Sequence, residues 1–204
     1  MSKGFIHSAF SLKEDCIYWD GEIESMLAPT KIPAQLDAMY KKLVKDYPKY
    51  YRMDGMAKLV FILGDLLCER SGVCTNYEGD DIAIALFNSS GSYPSDLIHS
   101  EAITDGFSGA SPSNFVYTLP NVGVGELCIK RKITGETIFL IEDEFSADRL
   151  SEVAELYIGQ KKCKAIIIGW VEPTQSEGNH LLLITEEESG LALPNTAENI
   201  KNLC

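Results

Sequence analysis

Residues 110–170, ASPSNFVYTLPNVGVGELCIKRKITGETIFLIEDEFSADRLSEVAELYIGQKKCKAIIIGW, constrain this chain more than any other stretch. They read as turn, helix, strand, sharp turn, helix, strand. The closing run, KAIIIGWV at 164–171, is apolar almost throughout, as is DIAIALF at 81–87. A strand apolar on both faces has to be covered on both. Strands of this kind alternating with helices therefore predict an α/β fold, a mixed or parallel sheet between helical layers.

The 204 residues, 45% of them apolar, suit one compact domain spanning 1–204. No apolar run reaches the roughly 18 residues of a membrane span. The opening MSKGFIHSAFSLKED lacks the apolar core and small-residue cleavage site of a signal peptide, so the expected location is cytoplasmic. Cys16, Cys68, Cys74, Cys128, Cys163 and Cys204 are scattered with no C-x-x-C pair, as reduced thiols acting as small hydrophobes would be. His7, His99 and His180 do not fall at ligand spacing relative to them, so neither a metal nor another cofactor is expected. A formal net charge of −12 argues against nucleic acid and anionic membrane surfaces, both of which need a basic footprint.

Along the chain, residues 4–12 read as a strand and 15–33 as a loop carrying Trp19 and Gly21. Helical spacing recurs at Leu36, Met39, Tyr40 and Leu43, and DYPKYYRMD then breaks it at Pro48, its tyrosines read as ordinary packing or a binding patch. Residues 53–69 form the strongest helix, with Asp54 as its cap, Ser71-Gly72 as its stop and two apolar rows that require cover on more than one side. Beyond the 81–87 strand, residues 94–104 are expected to be a helix with Leu97 and Ile98 inward. Residues 119–133 form a helix whose Gly123 and Gly125 allow close approach. A strand at 137–141, a helix at 147–160 and a strand at 181–185 precede a polar tail.

Several motifs have plain structural readings. NSSGS at 88–92 follows a buried strand but lacks the G-x-x-x-x-G-K of a phosphate loop, which leaves a strand-to-helix turn. GFSGAS at 106–111 has the wrong spacing for a nucleophile elbow and reads as a loop. Cys128 lies mid-helix between Leu127 and Ile129, which favours a buried structural thiol over a nucleophile. The acidic turn Glu142-Asp143-Glu144 sits where carboxylates favour the N-terminus of the next helix; no partner ligands for a metal accompany it.

Set together, these segments resemble the N-terminal half of β-ketoacyl-acyl-carrier-protein synthases, of the thiolase-like fold. SPSNFVYTLPNVGVGELCIKRKITGE is similar to the family's proline turn, large aromatic, T/S-L-P-N and glycine-bearing helix ending in G-L-x-G-P. MDGMAKLVFILGDLLCERSG resembles its long core helix, and DIAIALFNSSGSYPSDLIHSEAI the strand, turn and helix after it. The resemblance covers residues 53–173, more weakly the part before. In the family, the strand after G-P leads into a turn whose cysteine accepts the acyl group, activated by the following helix N-terminus. Laying Gly135 on the family glycine puts Glu144 on that cysteine, Ser146 on the serine two places on, and Gly169 on the glycine closing the next strand. A carboxylate leaves thioester exchange without its acceptor. The family's two histidines belong to the C-terminal half, beyond the reach of the resemblance.

The resemblance thus implies a half domain that is not a self-sufficient condensing enzyme. It implies a non-catalytic subunit of the chain-length-factor type, supporting a full-length synthase in fatty-acid or polyketide (aryl-polyene-like) synthesis, with acyl carrier protein met only indirectly. It places Thr137, Ile138, Phe139, Leu140 and Ile141 on a two-fold interface, pairing antiparallel with a partner strand, and makes Phe115, Tyr117 and Leu127 candidate tunnel residues, each also explicable as core. The face where a second half would pack needs an extra covering, a second copy or a partner. Two alternatives stay open: acyl-thioester decarboxylation using Glu144, and a homodimer that binds an acyl or other small ligand without chemistry.

Overall fold

The computed structural model describes residues 3–13, 16–27, 32–104, 111–173 and 178–204. Its strands are β1 (Phe5–Lys13), β2 (Cys16–Trp19), β3 (Glu22–Met26), β4 (Ile82–Asn88), β5 (Thr137–Ile141), β6 (Ala165–Trp170), β7 (Asn179–Thr185) and β8 (Leu193–Pro194). They form one sheet in the order β3-β2-β1-β7-β6-β4-β5, with β8 beside β1. β4 runs parallel to β5 and β6, and the other pairings are antiparallel, so the sheet is mixed.

The helices are α1 (Ile32–Met39), α2 (Gly55–Ser71), α3 (Val73–Asn76), α4 (Tyr93–Ile103), α5 (Pro112–Val116), α6 (Val122–Arg131), α7 (Ala147–Gly159) and α8 (Ala197–Leu203). Alternate residues of β4 face opposite layers. Ile82, Ile84 and Leu86 join a core with α1, α2 and α6, while Ala83, Ala85 and Phe87 join a core with α7 and α8. That is why β4 and β6 read as continuous apolar runs: both faces are buried. Among the described residues no helix is long and apolar enough to cross a membrane.

α2 is the axis of the first layer. Asp54 accepts from Ala57 N at 2.8 Å, and Gly72 ends the helix with φ 69°, a left-handed conformation that glycine adopts without penalty. α6 lies close against it because Gly123 has no side chain; a Cβ there would sit 2.7 Å from Ala57 Cα. Asp65, buried on α2, holds Arg131 Nε at 2.6 Å and Lys130 Nζ at 3.0 Å, so the charge that α2 buries is paired from α6.

Four expectations are corrected. The 15–33 segment holds a hairpin: β2 and β3 pair antiparallel across Asp20-Gly21, both at positive φ (53° and 85°), the geometry that Asp-Gly favours. Leu97 and Ile98 do not point inward but are 44% and 57% exposed. α4 is held instead by polar contacts: buried Ser95 donates to Asp54, and Ser92 Oγ donates to the Thr118 carbonyl at 2.6 Å. The tail is not merely polar, since β8 pairs with β1 and α8 buries Ile200 and Leu203. The 119–133 helix is shorter, and Leu119 lies outside it and exposed. The tyrosine cluster packs in the ordinary way, with Tyr50 buried and its ring 3.9 Å from that of Tyr40.

α7 and α8 lie side by side on the second face of the sheet, and the outer surface of α7 carries Asp148, Arg149, Glu152 and Glu155.

Candidate functional site

The parallel strands β4, β5 and β6 end on one side of the sheet, the side on which open α/β sheets place their ligands. Three turns meet there. After β4, Asn88 braces Gly91 with paired bonds, Oδ1 accepting from Gly91 N and Nδ2 donating to Gly91 O, both at 3.0 Å. After β6, the fully buried Glu172 carboxylate reaches across to the same turn. It accepts from Ser89 N (3.2 Å), Ser89 Oγ (3.0 Å), Ser90 N (3.1 Å) and Ser90 Oγ (2.8 Å). The Glu172 N–H donates to Asn179 Oδ1 at 2.7 Å, which fastens the start of β7. After β5, Glu142 N donates to Asn88 O at 3.0 Å, and Phe145 lays its ring 6.4 Å from Trp170 and 5.5 Å from His180. His180 Nδ1 in turn lies 2.9 Å from Ser11 Oγ.

Glu144 is exposed in the third turn. The α7 N-terminus is capped by Ser146, whose Oγ accepts from Arg149 N at 3.3 Å, while Arg149 pairs with Glu142 at 3.2 Å and Glu152 at 2.8 Å. The work of holding this turn therefore falls to Ser146. Replacing Ser146 by alanine is expected to cost about 1 kcal/mol in urea unfolding, and Glu144→Ala under about 0.5 kcal/mol. Equal losses in the two variants would return the role to Glu144.

None of the six cysteines, all described, stands at these strand ends. Cys163 precedes β6, Cys16 lies in β2, Cys68, Cys74 and Cys128 lie on α2, α3 and α6, and Cys204 follows α8. Burial pushes the Cys128 thiol up to about 11, as suits a structural cysteine.

The three candidate tunnel residues have different surroundings. Phe115 on α5 is 56% exposed, its ring 5.4 Å from that of His99. Tyr117, just past α5, lines a cavity of about 210 Å³ with Asp54, Ser95 and Ile98. Burial raises its phenol, with Glu126 and Asp54 adding to the effect. Leu127 lies apart, 1% exposed, packed into the notch at Gly64 on α2.

Among the described residues β5 is the last strand of the sheet. Glu136 O accepts from Ile84 N and Glu142 N donates to Asn88 O, both at 3.0 Å. Alternation along a parallel ladder then turns the backbone groups of Thr137, Phe139 and Ile141 away from β4. The Phe139 side chain packs toward the α2 core and those of Ile138 and Leu140 toward the α7 core, whereas Ile141 is 56% exposed. A Cβ built on Gly91 would touch Ile141 Cδ1 at 3.6 Å, so the start of α4 abuts the end of this edge. α4 and α5, which pack against each other, expose Tyr93, Leu97, Ile98, Phe115 and Val116. Sequence reasoning missed Glu172 and its serines. The signal was an acid closing an apolar run and a polar Asn-Ser-Ser closing its neighbour.

No protein-family model matches the chain, and no curated protein matches its sequence. Solved structures do match. A chain from a ketosynthase in complex with its chain length factor, from Xenorhabdus doucetiae, aligns at TM-score 0.55 and 13% identity over 90% of this chain and 78% of its own. A chain from a type II polyketide-synthase acyl-carrier protein complex with its ketosynthase bound to the hexaketide aligns at TM-score 0.63 and 11% identity, over 92% and 64%. The ishigamide ketosynthase/chain length factor aligns at TM-score 0.60 and 12% identity, over 89% and 61%. The chain spans under two thirds of the length of the latter two, and the likeness reaches well beyond residues 53–173. This chain has the mixed α/β, thiolase-like fold seen in ketosynthase and chain-length-factor structures.

Proposed function

We propose that this chain is a non-catalytic subunit of the chain-length-factor type, one β-ketoacyl-synthase N-terminal-like domain over residues 1–204, acting in the cytosol beside a full-length ketosynthase in fatty-acid or polyketide-type synthesis. The observation that carries this reading is the edge of β5, which no strand covers among the described residues and which ends in the exposed Ile141. A strand edge with unpaired backbone groups is a template for another strand. Thr137 to Ile141 would pair with the partner, and Phe115 and Tyr117 would face the acyl path from beside it. Leu127 would support that wall from behind. The acyl carrier protein would meet the pair through the ketosynthase.

The turn at the end of β5 fits a subunit without its own thioester chemistry, because it holds a carboxylate and no thiol. Decarboxylation by Glu144 is the weaker reading: an exposed carboxylate beside Glu142 and Asp143 would oppose, not stabilise, the negative charge of a developing enolate.

Affinity purification from native cells with mass spectrometry tests the proposal, the expected result being a one-to-one complex with a cysteine-bearing ketosynthase. Ile141→Asp should weaken that complex at least about tenfold while leaving the unfolding midpoint of the chain alone, since Ile141 is exposed. A self-dimer broken by the same substitution would favour the homodimer, and association indifferent to it would reject β5 as the interface.

A further inference from the structure

We propose that a second site, at the opposite end of the sheet from β5, binds an amphiphile with a single anionic head, such as an aliphatic carboxylate. The β2–β3 hairpin, α1 and α2 enclose a cavity of about 540 Å³, within the range of about 300–1,000 Å³ typical of small-ligand pockets. Its floor is apolar: Phe10, Ile17, Met39 and Leu66 are buried residues that nonetheless line it, and Met26, 77% exposed on β3, forms part of the lip.

Four charged side chains reach this cavity, and three are already engaged. Glu24 pairs with Arg70, whose guanidinium also lies 4.2 Å over the Trp19 ring, and Glu69 pairs with Arg131 at 2.7 Å. That leaves Lys42, which makes no ion pair among the described residues. One available ammonium above an apolar trough selects a monoanionic head with an apolar body. A neutral lipid would leave the cation unused, and a hydrophilic anion would leave the floor uncovered.

The backbone that carries Lys42 is an independent indication. Residues Tyr40–Val44 continue α1 as a π turn, closed by Lys45 N donating to Tyr40 O at 3.0 Å. The Tyr40 hydroxyl stabilises it by donating to Lys45 O at 3.1 Å and accepting from Tyr47 N at 2.9 Å. Such turns are less stable than a regular helix and recur where a side chain must be redirected for binding. Here the widened turn presents Lys42 at the cavity lip.

This site shares no residue with the β5 edge, so its test is separate from that of the proposed function. Isothermal titration of the full chain with dodecanoate should give saturable binding, and dodecyl maltoside, with the same tail and a neutral head, should compete poorly. Lys42→Glu should bind dodecanoate about tenfold more weakly, and Ala38→Trp, which fills the cavity from its lip, should abolish binding. Both positions are exposed, so both variants should keep the wild-type unfolding midpoint. Absence of saturable binding to the wild type, equal binding by Lys42→Glu, or equal competition by the neutral detergent would each overturn the proposal.

Discussion

Gly169→Ala is expected to abolish soluble expression or to lose roughly 3 kcal/mol or more in urea unfolding. Gly169 sits in β6, between Leu86 of β4 and Leu181 of β7. A Cβ built there would collide with the His180 carbonyl oxygen and would come 2.7 Å from Leu181 Cδ2. The leucine could rotate away. The carbonyl belongs to a paired strand, and moving it means opening the centre of the sheet, where both faces are already packed. Trp170, the next residue and almost fully buried, makes the transition readable by fluorescence. An alanine variant with the wild-type midpoint would mean that β6 and β7 have room this geometry denies.

The second large effect concerns Glu172. Its two oxygens serve different donors. Oε2 takes Ser89 N, Ser89 Oγ and Ser90 N, and Oε1 takes Ser90 Oγ. A glutamine with its carbonyl at the Oε2 position keeps the first three, and its amide can donate to the Ser90 hydroxyl once that hydroxyl turns. Glu172→Gln should therefore cost about 1 kcal/mol or less, because geometry survives while charge assistance is lost. Glu172→Leu has no acceptor at all. It strands two backbone N–H groups and two hydroxyls in a half-buried turn and should cost about 3 kcal/mol. The same loss frees the turn that abuts Ile141, so association through β5 should weaken in the leucine variant alone. Equal loss in both variants would show that the charge itself, not the hydrogen-bond geometry, holds the three strand ends together.

The elements read most accurately from sequence are those whose surroundings are encoded in their own composition. The β5 bounds agree with expectation, and β4 and β6 agree to within a residue at each end. A strand buried on both faces has to be apolar throughout, whatever its neighbours are. The α2 cap and stop were legible for a similar reason, since Asp54 and Gly72 act on backbone groups within four residues of themselves. The β2–β3 hairpin was legible in principle from Asp20-Gly21, but its strands are short, polar and near the sheet edge, so no apolar period marks them.

For the candidate site, the sequence by itself determined that a carboxylate stands where the resemblance calls for a thiol, and that an apolar strand leads into it. Only the tertiary structure decided that Glu172 closes on serines more than eighty residues away, that Ser146 rather than Glu144 caps α7, and that Leu97 and Ile98 face outward. The reason is physical. Periodicity records that a side chain is apolar, and a cap records a contact a few residues long. Which apolar face stays open, and which buried acid finds its donors, depends on how distant segments pack against one another.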